Sequence, residues 1–100
     1  MAIYKLLDNA GADKTGDGVS PNAQKLTVAI SGTLSGATVK LEMKAGSADW
    51  KDIHYEDGTP FEADEGINDV FIRFLPLEAS MRARTEGGDI STSVTVELIG

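Results

Sequence analysis

Gly36-Ala37-Thr38-Val39-Lys40-Leu41-Glu42-Met43-Lys44 is the stretch that decides the fold. After Gly36 it alternates small or apolar residues with polar ones: Val39, Leu41 and Met43 share one side, and Thr38, Lys40, Glu42 and Lys44 the other. A period of two marks a β-strand with one dry and one wet face, because successive side chains of an extended chain project to opposite sides. The same rhythm returns in Leu26-Thr27-Val28-Ala29-Ile30 and in Val94-Thr95-Val96-Glu97-Leu98. The chain therefore reads as all-β.

The totals bound what such a chain can be. One hundred residues, 41% of them hydrophobic, make a single domain, 1–100, with enough apolar material for one core. With no cysteine, neither a disulfide framework nor a thiolate metal site is available, which fits a reducing compartment. Met1-Ala2-Ile3-Tyr4-Lys5 does not open a signal peptide, and no run approaches the ~18 apolar residues of a membrane span. Synthesis and residence in the cytosol are the expectation, with no membrane partner. Sixteen acids against nine bases give a formal charge of −7, a field that repels phosphate and argues against direct nucleic-acid binding. Glu56, Asp57, Glu62, Asp64, Glu65 and Asp69 crowd together, whereas Arg73, Arg82 and Arg84 follow, which predicts an acidic rim and a more basic sheet face.

Along the chain, Ala2 to Leu7 reads as a first strand, and a polar, glycine-rich loop or arm occupies 8–23. Gln24 to Ser31 and Ala37 to Ala45 are strands separated by turn signals at Gly32 and at Ser35-Gly36. Trp50 to Tyr55 is a short strand anchored by Trp50 and Ile53, Asp57-Gly58-Thr59-Pro60 reverses the chain, and Phe61 to Ala63 pairs briefly. Val70 to Leu75 is a further strand, with Val70, Ile72 and Phe74 on one side and Phe71, Arg73 and Leu75 on the other. That strand and the Ile3, Tyr4, Leu6, Leu7 segment are apolar on both sides and need cover on both. A neighbouring subunit is one source of that cover, and the long loop folded back is the other. Pro76 to Arg84 has good helix formers, but Met81-Arg82-Ala83-Arg84-Thr85 alternates, so a turn followed by a strand is expected. Seven to eight short strands imply an antiparallel β-sandwich of Ig-like or jelly-roll topology.

No constellation of residues performs obvious chemistry. Asp13-Lys14-Thr15-Gly16-Asp17-Gly18 begins like a calcium loop, but Pro21 stands at position nine and Gln24 where the bidentate Glu is required. His54, the one histidine, has Asp52 and Glu56 two residues to either side, yet no Gly-x-Ser-x-Gly nucleophile motif accompanies it. The acidic cluster supplies carboxylates for glycoside hydrolysis, although acids between turns ordinarily form a solvated rim. Trp50 and Tyr55 beside His54 suggest a sugar-stacking platform, against a plug at the end of the sandwich. No catalytic residue, metal or cofactor is assigned, and the chain is not expected to be an enzyme.

The order of elements carries a resemblance. A Ser31-Gly32-Thr33 turn leads to Gly36-Ala37-Thr38-Val39-Lys40-Leu41, then come Asp49-Trp50-Lys51-Asp52-Ile53, Leu75-Pro76, Met81-Arg82-Ala83-Arg84 and Ser91-Thr92-Ser93-Val94-Thr95-Val96. Over residues 24 to 99 this resembles the small β-sandwich virion structural proteins of tailed bacteriophages. The resemblance implies a non-enzymatic particle component, a capsid decoration (cement) protein clustered as a homotrimer on the major capsid protein of a phage head. Its location would then be the capsid surface of the virion, after synthesis in the host bacterial cytoplasm. The residues expected to make the partner or subunit contacts are Ile3, Tyr4, Phe71, Arg73, Arg82 and Arg84. A carbohydrate-binding domain of a tail fibre and a tail-tube or connector component are the alternatives.

Overall fold

The alternating runs become the strands of two antiparallel sheets that share one core. The computed structural model describes residues 3–21, 26–44, 46–54, 57–64, 71–74 and 79–100, with the backbone alone for 26 and 71–74. The strands are β1 (Ile3–Ala10), β2 (Leu26–Thr33), β3 (Ala37–Lys44), β4 (Lys51–Asp52), β5 (Glu62–Ala63), β6 (Phe71–Phe74), β7 (Ser80–Gly87) and β8 (Ser93–Ile99). The first sheet runs β1-β8-β2-β6. In the second, β7 pairs along the whole of β3, while β4 and β5 take short stretches of the opposite edge of β3. The expected antiparallel sandwich is the fold.

Periodicity sets the faces. β7 and β8 alternate buried and half-buried positions along nearly their entire length. The β3–β7 register sets Leu41 opposite Ala83, both in the core, and Glu42 opposite Arg82 on the outer face. Val28, Ile30, Val94, Val96 and Leu98 of the first sheet meet Val39, Leu41, Met81 and Ala83 of the second in one buried cluster. Each fully buried Leu, Ile or Val contributes about 1.5–3 kcal/mol before chain entropy is charged against it.

Several expected boundaries move. β2 continues through Gly32 to Thr33, because Gly32 lies within the ladder and opposite Val94. Its φ of +106°, and a Cβ position 2.1 Å from the Ser93 carbonyl oxygen, require glycine at this close approach. Trp50 to Tyr55 reduces to the two residues of β4, after which the Ile53 amide donates to the Leu41 carbonyl. Ser80–Gly87 is strand rather than helix, while Pro76 to Glu78 fall outside the described residues, as do Ala2, Gln24, Tyr55, Val70 and Leu75.

Part of the apolar first strand finds its cover within the molecule. β1 pairs with β8 in regular register from Ile3 to Lys5, then slips so that Leu7, not Leu6, faces Val96. This β-bulge breaks the alternation and lets Leu6 and Leu7 both turn inward, 3% and 5% exposed. The glycine-rich stretch then folds back. Asp8–Ala10 complete β1, and residues 13–19 run along the free edge of β7. There the Gly16 amide donates to the Ala83 carbonyl, Thr85 N–H to the Lys14 carbonyl, and Val19 and Met81 exchange a pair of bonds. Gly16 presses on the Leu6 carbonyl so closely that a Cβ would come within 2.0 Å of it. The loop thus covers β1 at Leu6 and Leu7, while Ile3 stays exposed.

Candidate functional site

The outer face of the second sheet gathers a network of charged side chains, Arg82 and Arg84 among them. Lys40 and Glu42 on β3, Asp52 on β4, Glu62 on β5, and Arg82, Arg84 and Glu86 on β7 project to one side because all hold the outward parity of their strands. They pair across the strands. Arg82 donates through Nε to Glu42 at 2.6 Å, and Arg84 reaches Glu86 at 2.6 Å, Asp52 at 3.3 Å and Glu42 at 3.5 Å. Lys40 bridges Glu62 at 3.2 Å and Glu86 at 3.5 Å. Three cations therefore meet four carboxylates, and the face expected to be basic is neutralised by its own acids. Titration follows the geometry: the Arg84 guanidinium, then Lys40, holds the Glu86 carboxyl below its usual range, and the bond to Glu62 raises the Lys40 ammonium.

Trp50 belongs to this face. Asp52 points outward with Glu42, so Trp50, two residues before it, shares that side and does not join the core. The Arg82 guanidinium lies 4.3 Å from the centroid of its ring, a cation–π stack. The far edge of the indole meets Gly18, where a Cβ would stand 2.8 Å from Cη2. Trp50 is thus packed between Arg82 and Gly18 rather than in the core cluster, and a sugar would have to displace Arg82 to stack on that ring face. Ile53, of opposite parity, does pack on the core.

The remaining chemical candidates separate. His54 is exposed, and its Nδ1 lies 2.9 Å from the Asp52 carbonyl, which it meets as a donor. Asp57 accepts from the Thr59 hydroxyl and amide, which lower its carboxyl below the ordinary value and fix the turn. Glu62 is engaged by Lys40, and Glu56, Glu65 and Asp69 lie outside the described residues. The stretch that begins like a calcium loop is extended along β7, with Asp13 accepting from the Gly87 amide. Among the described residues no group of three His, Cys, Asp or Glu side chains is arranged to hold a metal ion.

The six expected contact residues do not form one patch. Arg82 and Arg84 sit within the ion-pair ladder on the second sheet, whereas Ile3, Tyr4, Phe71 and Arg73 belong to strands of the first. Tyr4 is half-buried against the core, and Ile3 is 57% exposed. The register sets Phe71 opposite Ala29 and Arg73 opposite Thr27, and their side chains lie outside the described residues. Compared with known protein families, curated proteins and solved structures, the chain matches none.

One residue escapes the sequence reading. Ile90, at the apex of the loop between β7 and β8, is fully exposed. Its loop is nonetheless tightly held. Asp89 accepts from the Ser91 amide and from the Ser35 hydroxyl of the neighbouring turn, and the Ser35 bond comes first in holding its carboxyl below the ordinary value. The Thr92 hydroxyl, on a residue only 6% exposed, accepts from the Asp89 amide and donates to the Leu34 carbonyl. A β-branched apolar residue in the middle of a Gly-Gly-Asp-x-Ser turn run was the available signal.

Proposed function

We propose that this chain is a structural component of a tailed-phage virion, a capsid decoration protein that works as a homo-oligomer bound to the major capsid protein. The observation that carries the reading is where apolar surface remains. Among the described residues, the large hydrophobic side chains left exposed are Ile3 and Ile90. β8 runs from beside the Ile90 loop to Ile99, and Ile99 pairs with Ile3, so the two lie at opposite ends of the sandwich. A stiff two-layer body with adhesive ends is suited to bridging surfaces. Its mechanism is mechanical: copies seated across joints between shell subunits add buried area that shell opening must expose again. Contacts of roughly 800 Å² per partner, repeated over a shell, accumulate through avidity.

The test is direct. The purified chain is expected to sediment as a trimer, well above its 10.6 kDa monomer mass, and to co-sediment with expanded capsids of the phage that encodes it. A stable monomer without affinity for those shells refutes the reading. A tail-tube or connector component is the second reading, favoured by the same two exposed isoleucines, since stacked rings adhere through both ends. Electron microscopy separates them: rings of the isolated protein support the tube, and discrete trimers support decoration.

A further inference from the structure

The two ends of β7 carry shapes and charges that complement each other. At its Gly87 end stands the Ile90 loop, a single apolar knob on a backbone fixed by Asp89, Ser35 and Thr92. Because the loop is already ordered, inserting the knob costs little conformational entropy. Asp89, next to the knob, keeps its carboxylate ionised through the same bonds that hold the loop. At the Ser80 end, about seven residues or roughly 23 Å away along the strand, lies a pit of ≈ 290 Å³ lined by Ser20, Pro21, Lys44, Gly46, Ala79 and Ser80. Among the described residues its lining is mixed: the Ser20 and Ser80 hydroxyls stand beside Pro21, Gly46 and Ala79, and the one charge is the Lys44 ammonium. The four carbons of an isoleucine side chain occupy roughly 120 Å³, at about 30 Å³ for each water-sized group. The pit therefore admits the knob together with part of the loop beside it.

We propose that Ile90 of one copy seats in the Ser20–Lys44–Ala79 pit of the next, with Asp89 directed at Lys44. The contact is heterologous: the surface each copy gives differs from the surface it receives. Such a contact closes into a ring when the rotation between successive copies allows it, and otherwise grows as an open stack. Like-charge contacts between copies of a chain at −7 work against association, so a site that brings an acid to a lysine is the place where self-contact is least opposed. The inference concerns self-association alone and needs no shell protein.

Sedimentation equilibrium of the full chain over a range of concentrations tests it. The weight-average mass is expected to rise above that of the monomer, and Ile90→Asp and Lys44→Glu are each expected to weaken association at least tenfold. Ala79→Arg, which fills the pit while leaving Lys44 in place, gives the same loss if Lys44→Glu is poorly folded. Thermal melts of Ile90→Asp should match the parent, because the side chain touches nothing in its own copy. Mixing is decisive. The Ile90→Asp chain keeps its pit and a pit variant keeps its knob, so the two together retain one good junction and form a 1:1 dimer and nothing larger. A parent chain that stays monomeric, an Ile90→Asp chain that assembles like the parent, or a mixture that stays monomeric or grows beyond the dimer overturns the proposal.

Discussion

Replacing Gly16 by alanine sets two physical effects against each other. Gly16 has no positive φ, so alanine suits its backbone, and the restricted unfolded chain alone would stabilise the fold by about 0.4–1 kcal/mol. The space is another matter. The added Cβ would lie 2.0 Å from the Leu6 carbonyl oxygen and 3.0 Å from Leu7 Cδ2. Leu7 can swing aside, but the Leu6 carbonyl is backbone within β1 and cannot. Relief requires residue 16 to retreat by roughly 1 Å, the gap between the clash and a tolerable carbon–oxygen contact. Retreat stretches the Gly16 to Ala83 hydrogen bond of 2.9 Å beyond bonding range and loosens the 2.7 Å bond from Thr85 N–H to the Lys14 carbonyl. Two bonds at about 1 kcal/mol each, and a share of the roughly 1–3 kcal/mol for leaving buried polar groups unmet, outweigh the entropic gain. The net expectation is destabilisation by about 2–3 kcal/mol, a fall in Tm of about 10–20 °C for a domain of this size.

The assay is equilibrium urea unfolding followed by the fluorescence of Trp50, the one tryptophan, with far-UV circular dichroism as the second probe. Gly11→Ala is the control: its φ is not positive and the nearest neighbour of its Cβ is the Thr92 oxygen at 4.0 Å, so the change should be neutral or slightly stabilising. Amide exchange at Thr85 and Met81 should quicken in Gly16→Ala, because their partners are in the displaced segment. A Gly16→Ala chain as stable as the parent or more so would mean that residues 13–19 are not seated on β1 and β7, and the account of the edge would fail.

Thr85→Val keeps shape and removes the hydroxyl that accepts from the Lys14 amide at 2.9 Å and donates to the Gly11 carbonyl at 2.7 Å. With Thr85 3% exposed, the loss should be about 1–3 kcal/mol in the same urea assay, and a change below about 0.5 kcal/mol refutes it. Acidification should destabilise. Asp57 and Asp89, with ordinary values of 3.8, and Glu86, with 4.5, are all lowered in the folded protein. Each therefore binds fewer protons folded than unfolded, so its contribution is complete above those ordinary values and is lost as pH falls through the depressed ones. Tm measured from pH 6 to pH 2 should drop below about pH 4, with a shallower drop in Glu86→Gln; a flat or rising profile contradicts the assignment.

What the sequence discloses here is whatever alternation encodes. β3, β7 and β8 have side chains that alternate in chemistry, so their faces are readable before any partner is known. β1 misleads because a bulge shifts parity in mid-strand, and two adjacent inward leucines look like a strand greasy on both faces. Residues 13–19 leave no pattern at all, since they attach to β7 through backbone groups, and hydrogen bonds of that kind impose no side-chain period. Arg82 and Arg84 are legible as outward-facing, but their neutralisation depends on which strand lies beside β7. Register alone brings Glu42 and Asp52, distant in sequence, to them.

That neutralisation bears on where this molecule can be approached. Arg84 meets three carboxylates, and Arg82 is held between Glu42 and the Trp50 ring. A partner laid on that sheet would have to strip water from charges already satisfied and offer nothing they lack, an exchange that seldom yields net affinity. At the ends the balance reverses. Ile90 gains apolar contact on docking and breaks no internal bond, because the hydrogen bonds of its loop run inward through Asp89 and Thr92 to Ser35 and Leu34. The charged face therefore opposes adventitious pairing on the second sheet, whereas Ile3 and Ile90 at the two ends are the large hydrophobic side chains left exposed among the described residues.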